Sequence, residues 1–176
     1  MVKAIMHGGN GKMGQVISRI VKEDPSIEIV AGIDIIDDSS LGFPVFGGYD
    51  EVNVDTDVII DFSNPALLAD MLAYAKKTST AIVLATTGLS DEQIASVEEA
   101  AKCVPVFFSY NYSMGVSLLC ELAKTAAKVL GSDFDIEIVE AHHNQKIDAP
   151  SGTALMLADS ISEALDEKPI YEFDRH

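Results

Sequence analysis

Three glycines at positions 8, 11 and 14 stand between an apolar segment and an amphipathic one near the start of the chain. The segment Val2–Met6 predicts a short strand, and the residues after the glycines repeat apolar side chains at helical spacing. That helical face consists of Met13, Val16, Ile17, Ile20 and Val21. Glycines in this arrangement allow a tight turn, close approach of a pyrophosphate and close packing of helix on strand. The order of strand, glycine turn and helix therefore predicts the first unit of a dinucleotide-binding sheet.

A carboxylate follows the second predicted strand. That strand covers residues 28–33, and Asp34 closes it twenty residues after Gly14. At this place an acid accepts hydrogen bonds from the adenosine ribose of NAD and repels the 2′-phosphate of NADP. We therefore expect NADH to be the preferred cofactor, with NADPH as a weaker alternative. The competing interpretation is that the glycines only form a loop and that Asp34 only ends a strand.

Strands and helices alternate over the middle of the chain. Predicted strands cover residues 58–62, 81–85 and 105–108, and predicted helices start at Pro65, at Ser90 and at Met114. Ser90 and Gln93 have the spacing of a capping box. Such alternation predicts an α/β fold, a Rossmann-type doubly wound parallel sheet followed by part of an α+β substrate domain. We expect a dinucleotide-binding domain over residues 1–112 and a substrate-binding and catalytic domain, incomplete, over residues 113–176.

Two adjacent histidines follow a segment with the pattern of a strand. Residues 134–140 alternate apolar and acidic side chains, which predicts a half-buried strand with His142 and His143 at its end. Neighbouring side chains of a strand point to opposite faces. This disfavours a shared metal ion, and we expect no metal site.

A predicted helix starts soon after the histidines. Ser151 can cap it, and its first N–H groups, at about Gly152 and Thr153, suit a carboxylate or a phosphate. Lys146 can supply a full positive charge beside them. Each residue alone is also explained as an ordinary cap, loop or strand-end residue, but the cluster favours a site for a small anion.

The charge balance limits the classes of partner. Among 176 residues, 28 are acidic and 12 are basic, and the net charge is −16. This disfavours nucleic acid and anionic membranes, and no apolar run approaches the roughly 20 residues that span a bilayer. Cys103 and Cys120 have no disulfide-scaffold spacing, and no leader pattern precedes the first strand, so we expect a cytoplasmic protein.

Five blocks, in the order of one known family, extend over nearly the whole chain. They are GGNGKMG from Gly8, DFSNP from Asp61, ATTG from Ala85, SYNYSMGV from Ser109 and EAHHNQKIDAPSGTA from Glu140. Together they resemble the dihydrodipicolinate reductase family, and the last block is the most specific. The resemblance implies hydride transfer from NAD(P)H to a small dicarboxylate, 4-hydroxy-tetrahydrodipicolinate. The implied product is tetrahydrodipicolinate, an intermediate of diaminopimelate and lysine biosynthesis.

The resemblance also implies residue roles. His142 matches the family's acid/base residue and Lys146 its second catalytic group. Substrate-holding positions of the family match His143, Ser151, Gly152 and Thr153. The cofactor contacts expected are Gly8, Gly9, Asn10, Gly11, Lys12, Met13, Asp34, Ala85, Thr86, Thr87, Ser109, Tyr110, Asn111 and Tyr112.

Two departures from the family pattern bear on these expectations. Ala85 stands where relatives usually have glycine near the nicotinamide, and its methyl group narrows that approach. Relatives continue for several dozen residues past His176, so the chain resembles a fragment. The resemblance implies that the full-length enzyme is a homotetramer. One alternative is therefore a truncated NAD(P)-binding module without turnover. A second is a hydrolase using Ser151 and His142, but the chain lacks a G-x-S-x-G elbow.

Overall fold

The computed structural model describes residues 1–35, 41–146 and 149–173, with only the backbone of Ser132. The chain divides into two compact units, Met1–Ser109 and Tyr110–His176.

The first unit is built on a six-stranded sheet. Its strands are β1 (Val2–His7), β2 (Ile27–Ile33), β3 (Val45–Phe46), β4 (Val58–Asp61), β5 (Ala81–Leu84) and β6 (Val106–Phe108). They lie in the order β3-β2-β1-β4-β5-β6, and each neighbouring pair is parallel. This is the strand order of a doubly wound dinucleotide-binding sheet, with the order reversing beside β1. The predicted fold class is confirmed.

Helices and short 3-10 turns connect the strands. The helices are α1 (Lys12–Val21), α2 (Leu68–Thr78) and α3 (Asp91–Ala101), and 3-10 turns cover Tyr49–Glu51 and Pro65–Leu67. Helix α2 buries Leu68, Met71, Leu72 and Ala75, which recur at helical spacing, whereas Leu67, just before it, is 37% exposed. Helix α3 begins at the predicted capping box, in which the Ser90 hydroxyl accepts from Gln93 N–H and the Gln93 side chain accepts from Ser90 N–H. Val97 and Ala100 of α3 lie in the same buried core as these α2 residues.

Helix α1 forms where the sequence predicts it, but its buried face is not the apolar one. Gly14 and Ser18 are its buried residues, whereas Met13, Val16 and Ile20 are 47%, 40% and 61% exposed. The Ser18 hydroxyl donates to Gly14 O at 2.7 Å, so it needs no partner outside the helix. Small side chains on the buried face allow the helix to lie close to the glycine turn.

The second unit contains two helices that pack on each other, α4 (Met114–Leu130) and α5 (Gly152–Ser162). A Lys124–Glu163 ion pair, with Nζ and Oε2 2.5 Å apart, joins them on the surface. Hydroxyl groups cap both helices, since Ser113 Oγ accepts from Val116 N–H and Ser151 Oγ from Ala154 N–H. The predicted helix starts at Met114 and after Ser151 are confirmed.

The predicted strand over residues 134–140 is wrong. These residues are exposed and belong to no strand. Val139, for example, is 90% exposed. An alternating pattern becomes a strand only when a neighbouring strand completes its hydrogen bonds, and no such neighbour lies beside it within the described part of the chain.

In residues 1–35, 41–146 and 149–173, no helix has the length and apolar character needed to cross a bilayer.

Candidate functional site

The glycine turn after β1 has no room for larger side chains. Gly8 has φ +81°, and a Cβ built on it would lie 2.5 Å from Phe62 O. A Cβ on Gly14 would lie 2.2 Å from Gly8 O. The N–H of Gly11 donates to Gly8 O at 3.1 Å, which closes the turn on itself. Both Gly8 and Gly14 are therefore required by the backbone geometry.

Asp34 connects the end of β2 to this turn. Its Oδ2 accepts from Asn10 N–H at 2.9 Å, and its Oδ1 accepts from Ile35 N–H at 2.8 Å. An ionised carboxylate has about four acceptor positions, so two bonds leave capacity for the hydroxyl groups of a ribose. Asp34 can thus hold the turn and a ligand together.

A cavity of about 730 Å³ opens at these strand ends, within the usual range for small-molecule sites. Four predicted cofactor residues line it: Gly8, Asn10, Gly11 and Asp34. Other predicted residues of this unit lie outside its lining: Gly9, Lys12, Met13, Ala85, Thr86, Thr87 and Ser109. The cavity, and a turn in which Gly8, Gly9 and Gly11 carry no Cβ atoms, fit the adenosine and pyrophosphate parts of a dinucleotide.

The cavity has an aromatic wall that the sequence did not reveal. Tyr49 and Tyr74 lie with ring centroids 4.9 Å apart, and Tyr49 meets the His7 ring edge-on at 5.3 Å. All three line the cavity, together with Lys77. Burial, and then the charge of Asp61, raise the pKa of Tyr49 well above its ordinary value. Its hydroxyl therefore stays protonated, and it has no hydrogen-bond partner within the described residues.

A buried carboxylate links three strand ends beside the turn. Asp61 accepts from Ser63 Oγ at 2.5 Å and from Thr86 Oγ1 at 2.6 Å. His7 Nδ1 lies 2.8 Å from Asp61 Oδ1, at ion-pair distance although without hydrogen-bond alignment. We call His7, Asp61, Ser63 and Thr86 the Asp61 cluster. Since Thr86 also accepts from Ser63 N–H at 3.0 Å, its hydroxyl is engaged within the protein, and its role as a cofactor contact stays a prediction.

In the second unit, a protein carboxylate sits at the start of α5. Glu140 Oε1 accepts from Ser151 N–H at 2.9 Å, and Oε2 accepts from Ser151 Oγ at 2.5 Å. The Ser151 hydroxyl is thus both cap and donor, and Ser151 is 3% exposed. This argues against Ser151 as a hydrolytic nucleophile, because its proton faces a glutamate and not His142.

The predicted catalytic residues lie on the loop before α5. His142 Nδ1 is 3.6 Å from Glu140 Oε2. Hydrogen bonds from both donors of Ser151 lower the pKa of Glu140, and the charges of His142 and Lys146 lower it further. His143 accepts from Gln145 N–H through Nδ1 at 3.2 Å. Glu140, which the sequence pattern predicts only as a strand residue, therefore contacts both His142 and the start of α5.

Predicted cofactor and substrate residues meet within this unit. Asn111 Nδ2 donates to Thr153 Oγ1 at 2.9 Å, and Asn111 Oδ1 accepts from Ser113 N–H at 2.8 Å. A Cβ on Gly152 would lie 3.2 Å from Tyr110 Cβ, so glycine gives Tyr110 room to pack. The N–H groups of Gly152 and Thr153 have no acceptor among the described residues. They are donors at the positive end of the α5 dipole.

No three histidine, cysteine, aspartate or glutamate side chains in the described ranges are grouped to hold a metal ion. Cys103 and Cys120 are free thiols.

Two family models match the chain. The model described as "Dihydrodipicolinate reductase, N-terminus" matches residues 2–112, and the model described as "Dihydrodipicolinate reductase, C-terminus" matches residues 115–174.

Curated relatives and solved structures agree with these models. The 4-hydroxy-tetrahydrodipicolinate reductase of Caldanaerobacter subterraneus subsp. tengcongensis is 49% identical over 100% of this chain and 69% of its own length. That of Clostridium novyi is 44% identical over 100% of this chain and 70% of its own. The solved dipicolinate-bound dihydrodipicolinate reductase from Paenisporosarcina sp. TG-14 has a TM-score of 0.75 at 29% identity, covering 100% of this chain and 71% of that one.

Proposed function

Because the chain belongs to the dihydrodipicolinate reductase family, we propose that it reduces 4-hydroxy-tetrahydrodipicolinate to tetrahydrodipicolinate with NAD(P)H. The observation that supports this most directly is that predicted cofactor and substrate residues contact each other within the second unit. Asn111 bonds Thr153, and Glu140 bonds Ser151 beside His142. In the overall reaction the substrate gains one hydride and one proton, and its 4-hydroxyl leaves as water.

The cofactor would be held by the glycine turn and by Asp34. The glycines of the turn allow a pyrophosphate to approach closely, the first N–H groups of α1 suit its charge, and the aromatic wall gives the adenosine an apolar surface. When bound, the reduced nicotinamide supplies the hydride. We propose Ala85, Thr87 and Tyr112 as further contacts, on the strength of the family motifs.

His142 would supply the proton. Hydride addition leaves electron density on the conjugated carbon–nitrogen system, which a nearby acid must neutralise. Histidine is the side chain whose ordinary titration range lies close to neutral pH, and His142 is 38% exposed, so it can reach a substrate and exchange protons with water.

The substrate's carboxylates would be held by the start of α5. The N–H groups of Gly152 and Thr153 are available donors, while the N–H and the hydroxyl of Ser151 already donate to Glu140. Lys146, half-buried on the same loop, adds a full positive charge and acts as a second donor or electrostatic stabiliser. His143 would complete the contacts.

We further propose that NADH is preferred over NADPH. Asp34 lines the cavity and already accepts from Asn10 and Ile35, so it is fixed where a ribose diol can donate to it. A 2′-phosphate at that place would meet a like charge. Lys12 and Lys77 of the first unit can offer positive charge to a 2′-phosphate. NADPH binding would therefore be weakened but not abolished.

Assembly and location are also proposals. Helix α4 exposes Leu118, Leu119 and Leu122 at 60%, 52% and 58%, and contiguous apolar exposure of this kind is typical of an interface. We propose the family's homotetramer, which the native mass would test, and a cytoplasmic location, which agrees with the free thiols.

The decisive experiment follows NADH oxidation by its absorbance, with enzymatically prepared 4-hydroxy-tetrahydrodipicolinate as substrate. We expect saturable turnover that dipicolinate inhibits. Binding of NADH without turnover would instead support the NAD(P)-binding module.

A further inference from the structure

Glu140 belongs to neither the catalytic nor the substrate-holding set derived above. It lies two residues before His142 and eleven before Ser151, and it contacts both. We infer that Glu140 is a positioning residue, which fixes the tautomer and direction of His142 relative to the start of α5. The inference rests on the proposed function, and it adds a residue on which that function depends.

The first step is the geometry of the carboxylate. Both oxygens bond Ser151, and two bonds from one residue hold the carboxylate plane in a single orientation. Ser151 is the cap of α5 and is buried. The position of Glu140 is therefore set by the helix, not by its own exposed segment.

The second step is the consequence for His142. The same oxygen that accepts from Ser151 Oγ lies 3.6 Å from His142 Nδ1. A negative oxygen there favours a proton on Nδ1, because that proton then faces the carboxylate. Nε2 becomes the nitrogen that exchanges a proton with the substrate: as the acid, His142 loses the Nε2 proton and keeps the one on Nδ1.

The third step concerns the substrate. Glu140 occupies the donors of Ser151, so a substrate carboxylate is directed to Gly152, Thr153 and Lys146. A negative charge so close does not assist the binding of an anion. The position of the Glu140 carboxylate is explained instead by its orientation of His142. Loss of that orientation should lower kcat, whereas loss of the repulsion should not weaken substrate binding, so kinetics separate the two effects.

The experiment compares Glu140→Gln, His142→Gln and the double variant with wild type. Glutamine keeps an oxygen for Ser151 N–H and removes the charge. We expect kcat to fall about tenfold in Glu140→Gln, with dipicolinate affinity unchanged or higher and NADH affinity unchanged. The double variant should be no slower than His142→Gln alone, because Glu140 acts through His142. Asp135→Asn, on the same exposed segment, is the matched control and should match wild type.

A ¹⁵N NMR measurement of the His142 tautomer is independent of turnover. We expect Nδ1 to be protonated in neutral His142 of the wild type, and the Nε2-protonated form to increase in Glu140→Gln. A wild type without turnover would refute the proposed function, and the tautomer would then decide the inference alone. Equal tautomers, unchanged kcat, a further loss in the double variant, or a parallel loss of kcat, dipicolinate affinity and melting temperature would each overturn it.

Discussion

The unit Met1–Ser109 buries the ionisable pair at its strand ends, whereas the unit Tyr110–His176 leaves the ionisable pair of its candidate site partly exposed. His7 and Asp61 are each 1% exposed at the strand ends, but the side chains of Glu140 and His142 are 29% and 38% exposed. A buried polar group is tied to folding, since leaving it unsatisfied costs about 1–3 kcal/mol. An exposed group can be changed with little effect on stability. We therefore expect substitutions of the buried groups in the first unit to affect folding and cofactor binding together, and substitutions of His142 and Lys146 in the second unit to affect mainly turnover.

The largest effect should come from the two predicted catalytic residues of the second unit. His142→Gln and Lys146→Ala remove the proton donor and a full charge, and each should lower kcat by roughly 100-fold. Melting temperature and the Kd of NADH should stay at wild-type values. The measurements are steady-state kinetics, NADH fluorescence titration and thermal unfolding, with the exposed Lys168→Ala as control. Weaker NADH binding in either variant would contradict the assignment of these residues to turnover alone.

Gly14→Ala tests the opposite region. Its Cβ would lie 2.2 Å from Gly8 O and 2.6 Å from Gly9 O, and both neighbours are backbone atoms. We expect the free energy of unfolding to fall by about 1–3 kcal/mol and the Kd of NADH to rise about tenfold. Urea unfolding and NADH titration measure both.

The matched control for Gly14 is Gly115→Ala in α4, where the added Cβ has only an ordinary contact, with Ser113 Oγ at 3.6 Å. Alanine favours a helix more than glycine does, so this variant should be slightly more stable. If Gly14→Ala kept wild-type stability and affinity, the close packing of α1 on the turn would have no energetic importance.

Cofactor preference should change less. Asp34→Ala removes the like charge and also the bond from Asn10, so the ratio of kcat/KM for NADH over NADPH should fall severalfold, by about 1 kcal/mol of discrimination. The comparison of units predicts that KM for the dicarboxylate stays constant. A wild-type preference for NADPH would falsify the role of Asp34 as discriminator.

The smallest effect concerns pH and stability in the second unit. The Ser151 hydrogen bonds lower the pKa of Glu140. A carboxyl whose pKa is lower in the folded than in the unfolded state stabilises the fold at pH values above its unfolded-state pKa. This stabilisation is lost as the pH falls through the folded-state pKa. Melting temperatures of wild type and Glu140→Gln should therefore differ slightly at pH 7 and converge below about pH 4. A difference that grew on acidification would contradict this sign.

The fold of the first unit could be predicted because its signals are local. Apolar runs, the capping box of Ser90 and the three glycines each act within a few residues of chain, and the structure confirms them. Strand β3 was missed because it has only two residues, Val45 and Phe46. Tyr49 and Tyr74 could not be assigned to a cavity, since their meeting depends on tertiary packing.

The second unit shows where local signals are insufficient. Residues 134–140 have the alternation of a strand, yet a strand needs a partner, which the pattern does not encode. The contact of Glu140 with Ser151 joins residues eleven positions apart across a loop, and no periodicity predicts it. Helix α1 is a similar case in the first unit. Its apolar residues predict the helix correctly, but the face that packs consists of Gly14 and Ser18.

The Asp61 cluster also has a consequence for how such a chain changes over generations. Ser63 and Thr86 both donate to Asp61, and His7 lies against it. Loss of one hydroxyl leaves a buried carboxylate short of a donor, at a cost of about 1–3 kcal/mol, unless the acid changes as well. Positions from three different parts of the sequence are thus energetically coupled, and we expect a homologue that replaces Asp61 to replace its neighbours as well.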